Sequence, residues 1–169
     1  MSYATTSVAT PSFPYLVGPS TIVSGAIAQF QTLSTADKLT VLRFIYTHIA
    51  PATPDVTGTA RFHLVGGLLA TVLQMTSTER KQALHALVAK ENNSFCRAYG
   101  LLGTRTKFAV WDLLWKQVNG DSSWGTTHPP VGSEVVQTLI DTIAFKFDSE
   151  QKMNFIRQVV ADTGIDPLA

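Results

Sequence analysis

The segment that decides the fold is residues 104–120, TRTKFAVWDLLWKQVNG. Large apolar residues recur in it at i, i+3, i+7 and i+10, as Phe108, Trp111, Trp115 and Val118. This spacing predicts an α-helix with one apolar face, on which two indole rings present a broad, rigid surface. A helix centred near residue 42 carries a similar face, made of Leu39, Leu42, Tyr46 and Ile49. If the two faces meet, they either close a core or enclose something long and apolar.

The remaining chain predicts further helices, each beginning at a capping residue. Thr76 and Glu79 have the spacing of a capping box, and Ser34 and Asp37 have the same spacing with Asp in place of Glu. Ser133 and Asp148 stand where caps are expected. The predicted helices run over about 20–33, 34–50, 57–75, 76–90, 93–103, 104–120, 133–147 and 148–164. No segment has the alternation of a strand. We therefore predict an all-α domain of about eight helices, in two small bundles packed together.

Two parts of the chain lie outside the helical pattern. Residues 1–19 are rich in Ser, Thr and Pro and predict an irregular N-terminal arm, so that the helical domain covers 20–169. Residues 121–132, DSSWGTTHPPVG, predict a long loop that contains Trp124. A loop tryptophan is expected where it covers an apolar opening.

Composition limits the class of protein. Charged residues make up only 15% of the chain, against about a quarter in typical domains, so nearly every apolar face must be hidden or covered by a ligand. No run approaches the roughly 18 apolar residues of a membrane span, and the N-terminus lacks the pattern of a signal peptide. The single cysteine, Cys96, excludes an internal disulfide and fits a reducing compartment. We expect a soluble, cytoplasmic protein.

Charge is unevenly distributed along the chain. The net charge of +1 argues against general nucleic-acid binding. Residues 80–116 hold seven basic and two acidic residues, whereas residues 117–169 hold three basic and seven acidic ones. The basic segment 80–116 could contact an acidic partner, or its residues could be ordinary solvated positions on helices.

No pattern of catalytic residues is present. The four histidines, His48, His63, His85 and His128, have no His or acidic residue three or four positions later that would make a metal-binding pair. Cys96 falls in a predicted helix, where an inert, buried thiol is the usual case. We therefore expect neither an enzyme nor a metal site. By spacing alone, Tyr46, Trp111 and Trp115 are either core residues or part of a ligand site.

Three separated motifs resemble one family. They are the segment from Ile27-Ala28-Gln29-Phe30 to Tyr46, the pair Ser94–Tyr99 and Lys107–Trp111, and the closing Ile156-Arg157-Gln158-Val159-Val160-Ala161-Asp162. In the same order, over about residues 20–166, they resemble the carotenoid-binding N-terminal domain of the orange carotenoid protein. Because the sequence stops where the full-length photoreceptor would continue into a second domain, we expect it to resemble the stand-alone helical carotenoid proteins of phycobilisome-bearing bacteria.

The resemblance implies a fold and a ligand. Two discontinuous four-helix bundles would hold a keto-carotenoid, of the canthaxanthin or echinenone type, in a tunnel between them, with Tyr46 and Trp111 flanking one end ring. The positions implied as carotenoid-binding are Leu39, Leu42, Tyr46, Phe108, Trp111, Trp115, Val118, Trp124, Met153 and Arg157. Three residues depart from the family pattern and suggest a reshaped pocket: Arg43 replaces a tryptophan, Asp112 replaces a tyrosine, and Trp115 replaces a small residue.

The resemblance also implies function. A bound polyene would quench singlet oxygen, and Arg157 matches an arginine that helps to dock the phycobilisome, through which the protein would lie beside the thylakoid membrane. The alternatives are a carrier that delivers pigment to a separate homologue of the C-terminal domain, and an all-α interaction module without a ligand.

Overall fold

A computed structural model of the chain describes residues 19–48, 66–119 and 133–168. Every regular element within these ranges is helical, which confirms the all-α prediction. The helices are α1 Pro19–Thr32, α2 Thr35–His48, α3 Gly66–Gln74, α4 Ser77–Ala89, α5 Ser94–Gly100, α6 Thr104–Asn119, α7 Glu134–Asp141 and α8 Ser149–Ala161. The predicted arm up to residue 18, the start of the third helix at 57–65, and the loop with Trp124 lie outside the described residues.

The helices pack as two groups of four. Group 1 is discontinuous in sequence, because α1 packs on α7 and α8, and α2 packs on α7. Group 2 is continuous, with α3 packed on α5 and α6, and α4 packed on α5 and α6. The groups join where α6 packs on α8 and where α2 packs on α4. This arrangement agrees with the prediction of eight helices in two groups of four, but only group 1 is discontinuous in sequence, and a tunnel between the groups stays a prediction.

Helices α4 and α8 begin where their capping residues predict. The Thr76 side chain accepts a hydrogen bond from the backbone N–H of Glu79, whose carboxylate accepts one from the backbone N–H of Thr76 at 2.7 Å. Asp148 and Gln151 form the same reciprocal pair at the start of α8. Each pair satisfies two backbone donors that the first helical turn leaves without a partner.

The seventh helix differs from its prediction at both ends. Ser133 occupies the capping position of α7, but its side chain makes no capping hydrogen bond. The α-helix ends at Asp141 and continues as one wider π-helical turn over residues 142–146, which brings Phe145 to an 85% exposed position. Apolar periodicity does not distinguish i+4 from i+5 hydrogen bonding over a single turn, so the sequence gives no signal of this change.

Hydrogen bonds fasten the end of α8 to group 2. The Tyr99 hydroxyl lies 3.2 Å from the carbonyl oxygen of Val160 and 3.3 Å from that of Lys107, and it accepts a bond from Thr163. The Lys107 ammonium donates to the carbonyl of Ala161 at 3.1 Å. We call this set the C-terminal clamp, because it joins α5, α6 and the end of α8.

The backbone that follows α8 leaves no room for a side chain at Gly100. A Cβ atom there would overlap the backbone carbonyl of Ile165, whereas no atom of the described residues lies within 4 Å of a Cβ at Gly25 in α1. We expect Gly100→Ala to lower the free energy of unfolding by about 3 kcal/mol or more, since a backbone segment must move.

The matched control is Gly25→Ala, which should raise the free energy of unfolding by about 0.5–1 kcal/mol through helix propensity. Urea denaturation followed by circular dichroism measures both values. Equal stability of the two variants would contradict the described packing of residue 165 on α5.

Candidate functional site

Three aromatic side chains meet at the boundary between the helix groups. The ring of Tyr46, on α2 in group 1, lies edge-on to that of Trp115, on α6 in group 2, with centroids 5.4 Å apart and an interplanar angle of 86°. Trp115 also contacts Trp111, one helical turn earlier, at 6.3 Å and 44°. These are the distances of favourable aromatic contacts. We call Tyr46, Trp111 and Trp115 the aromatic cluster.

The position of α6 explains why the cluster is buried. This helix packs on α3, α4 and α8, so most of its circumference faces other helices. The predicted face is buried along its length, from Phe108 to Val118. Val110 and Leu114, which lie off that face, are fully buried as well. The predicted face does not include them, although the apolar residues at 110, 113 and 114 indicate a helix that is covered on more than one side.

Two polar atoms of the cluster find no hydrogen-bond partner among the described residues: the Tyr46 hydroxyl and the Trp111 indole N–H. Both are buried, and a buried donor without an acceptor costs about 1–3 kcal/mol. In Trp111 the donor lies at the edge of a ring that otherwise packs well. The cluster therefore combines an apolar surface with two donors that suit an acceptor oxygen.

A buried carboxylate lies on the same helix. Asp112 is only 6% exposed, and its carboxylate pairs with the Lys116 ammonium at 2.7 Å, one turn further along. Lys116 extends to solvent, so the pair joins a buried charge to the surface. Burial, followed by the negative charge of Asp112, raises the pKa of Tyr46 far above its ordinary value of 10. The phenol therefore stays neutral and remains a donor.

The structure places the other predicted site residues at different depths. Leu42 is fully buried on α2, one turn before Tyr46, and Leu39 is half-buried a turn earlier. Met153 is half-buried on α8, which packs against α6. Arg157, on the same helix, is exposed, which separates it from the aromatic cluster. Trp124 lies outside the described residues.

Most basic side chains of segment 80–116 bond to other groups of the same chain. Arg80 and Lys107 donate to backbone carbonyls near helix ends, Arg97 donates to the side-chain oxygen of Asn92, and Lys90 and Lys116 pair with Asp162 and Asp112. This favours the interpretation of these cations as ordinary helix positions over that of an open basic surface.

Other candidate chemistry lies apart from the cluster. Cys96 is fully buried, and burial raises the pKa of its thiol. A cavity of about 450 Å³ opens between α4 and the start of α5, where His85 lies 3.3 Å from Glu91, and none of its lining residues belongs to the predicted site.

The described residues contain no group of three or more side chains that could hold a metal ion. No helix in the described ranges is long and apolar enough to cross a membrane.

Comparison with known sequences gives a consistent family. The family model described as "Orange carotenoid protein, N-terminal" matches residues 19–166. An orange carotenoid-binding domain-containing protein of Nostoc sp. PCC 7120 is 38% identical over 152 residues, which are 87% of this chain and 86% of that protein. The orange carotenoid-binding protein of Limnospira maxima is 26% identical over 150 residues, 86% of this chain but 46% of that protein.

Solved structures agree in fold. The orange carotenoid protein of Anabaena (Nostoc) sp. PCC 7120, binding canthaxanthin, superposes with a TM-score of 0.67 at 25% identity, over 86% of this chain and 47% of that one. The red carotenoid protein of the same organism, binding a mixture of carotenoids, gives a TM-score of 0.63 at 23% identity, over 85% and 98%. This chain thus spans about half of the orange carotenoid protein and nearly all of the red one.

The raised pKa values of Tyr46 and Tyr99, both caused first by burial, predict how stability depends on pH. The folded protein holds these phenolic protons at a pH where the unfolded chain loses them, so the free energy of unfolding falls as pH rises above about 10. In an alkaline titration, the ultraviolet absorbance of these two phenolates should appear only together with loss of helical circular dichroism.

The variant Tyr46→Phe removes one of the two protons and should move alkaline unfolding to higher pH. Ionisation of all tyrosines near pH 10, with the helical signal intact, would contradict the described burial.

Proposed function

This chain belongs to the orange carotenoid protein N-terminal family, and we propose that it is a carotenoid-binding photoprotective protein. The observation that carries the proposal is the aromatic cluster, which spans the boundary between the helix groups and contains two buried donors without partners among the described residues. The ligand that we propose is a keto-carotenoid, held where α2 faces α6. Canthaxanthin, which the Anabaena orange carotenoid protein binds, is a suitable member of that class.

The residues present fit such a ligand. A carotenoid end ring is flat and apolar, as the faces of Tyr46 and Trp111 require, and a keto oxygen is an acceptor that either donor could meet. The polyene offers no hydrogen bonds, so its affinity must come from buried apolar area, at about 25 cal/mol per Å². Leu42, Phe108 and Val118 are the apolar side chains that would extend this contact along α2 and α6.

In this proposal the chain binds, orients and shields, and it does no covalent chemistry. Tyr46 and Trp111 fix the end ring, and the apolar faces of α2 and α6 exclude water from the chain of double bonds. When bound, a long conjugated polyene accepts energy from singlet oxygen or an excited bilin and releases it as heat. Asp112, beside the neutral phenol of Tyr46, helps to keep that hydroxyl protonated.

Co-expression in a host that makes keto-carotenoids tests the binding. We expect an orange or red protein, and we expect Trp111→Ser to retain much less pigment because it removes the ring and the donor together. Absorption spectra of the purified proteins, with circular dichroism to verify folding, give the measurement. A wild-type protein that is folded and colourless would overturn the proposal.

The role of the Tyr46 donor needs a finer comparison. When canthaxanthin and β-carotene compete, Tyr46→Phe should lower the preference for canthaxanthin about five-fold, since one hydrogen bond contributes about 1 kcal/mol. Tyr99→Phe is the matched control, because its hydroxyl bonds inside the C-terminal clamp. If both variants keep the wild-type preference, Tyr46 does not contact the oxygen of the pigment.

The exposure of Arg157 favours a second role, the quenching of phycobilisome excitation through direct contact. When the pigment-loaded protein is mixed with phycobilisomes, we expect bilin fluorescence to fall, and to fall less at high ionic strength because salt screens surface charges. Arg157→Gln should weaken the effect about three-fold, as expected for one surface contact. Lys152→Gln, on the same helix, is the control, and equal quenching by both variants and wild type would exclude this role.

A further inference from the structure

The side chain of Trp115 limits how deeply a ligand can enter the aromatic cluster. Its indole contacts both Tyr46, at 5.4 Å, and Trp111, at 6.3 Å. These centroid distances fall in the range of 4.5–7 Å at which a ring of any origin packs against an aromatic neighbour. Trp115 therefore takes contact positions on both rings that a pigment ring would otherwise take.

The surroundings of Trp115 oppose its displacement. The side chain is fully buried, and its neighbours Leu114 and Val118 are fully buried as well. The helix that carries it is fixed by α3, α4 and α8. A tryptophan in a close-packed interior cannot rotate without an equal volume being cleared elsewhere.

From this geometry we propose that Trp115 sets how deeply the pigment enters the site, and that the end ring of the pigment stops against its indole. This inference rests on the proposed carotenoid function and adds a depth limit to it. The ring then reaches Tyr46 and Trp111 at the edges that Trp115 leaves uncovered, and more of the polyene remains outside the two helix groups.

The same geometry predicts what a smaller residue would do. Trp115→Leu removes the indole, so the end ring can move further in, between Tyr46 and Trp111. Roughly 50 Å² of additional buried pigment surface corresponds to about a ten-fold slower loss of pigment. Closer packing of two aromatic faces on the ring should also shift the absorption maximum. Trp115→Phe, which retains a smaller ring, should give an intermediate rate of pigment loss and an intermediate shift. It also provides a second variant if Trp115→Leu does not fold.

The experiment compares four proteins loaded with canthaxanthin: wild type, Trp115→Leu, Trp115→Phe and Leu114→Ala. Leu114→Ala is the matched control, because it removes buried volume from the residue next to Trp115 in α6 but removes no aromatic ring. The measurements are the absorption maximum and the half-time of pigment transfer to liposomes. We expect slower transfer and a shifted maximum in both Trp115 variants, and neither change in Leu114→Ala.

Each outcome has one meaning. If the wild type binds pigment and the folded Trp115 variants match it in spectrum and half-time, the depth limit is wrong and the proposed function stands. If only the Trp115 variants take up pigment, the indole excludes the end ring from the natural protein, and both the depth limit and the proposed function are overturned. If no folded protein takes up pigment, both are overturned.

Discussion

The burial of α6 against three other helices is the constraint on which the rest of this structure depends. A helix in that position must be apolar on most sides, and α6 carries Val110, Trp111, Leu114 and Trp115 fully buried within two turns. Its one buried charge, Asp112, is tolerated because Lys116 reaches it from the surface. Since α6 packs on α3 and α4 in its own group and on α8 in the other, it positions the two groups relative to each other, together with the contact between α2 and α4.

The boundary between the groups is built in two different ways. At the C-terminal clamp, Tyr99, Thr163 and Lys107 connect backbone and side chains by directional hydrogen bonds. At the aromatic cluster, Tyr46 and Trp115 meet edge to face, by contacts that tolerate a change of partner. A boundary fixed at one place by hydrogen bonds can accommodate an apolar ligand at another without the two groups separating. This division of roles is compatible with the proposed location of a pigment at the cluster.

Features set by nearby residues could be predicted from the sequence, and features set by distant ones could not. The caps of α4 and α8 depend on residues three positions apart, and both form as predicted. The apolar face of α6 follows from its period. The π-helical turn at 142–146, the internal bonds of the basic segment and the burial of Asp112 depend on neighbours that only the tertiary fold supplies. The sequence also could not predict that the Tyr46 hydroxyl has no hydrogen-bond partner among the described residues, because this depends on every residue around it.

Tyr46 and Tyr99 show how a structure can separate a core residue from a candidate ligand contact. Both are buried, and burial raises the pKa of both. The Tyr99 hydroxyl has protein partners on α6 and at the end of α8, so its polar atom is explained by the fold. The Tyr46 hydroxyl has none among the described residues, and phenylalanine would fill the same space without the cost of a buried, unbonded donor. A tyrosine in that position gains from its hydroxyl only if an acceptor arrives from beyond those residues. An oxygen on the end ring of the proposed carotenoid would be such an acceptor.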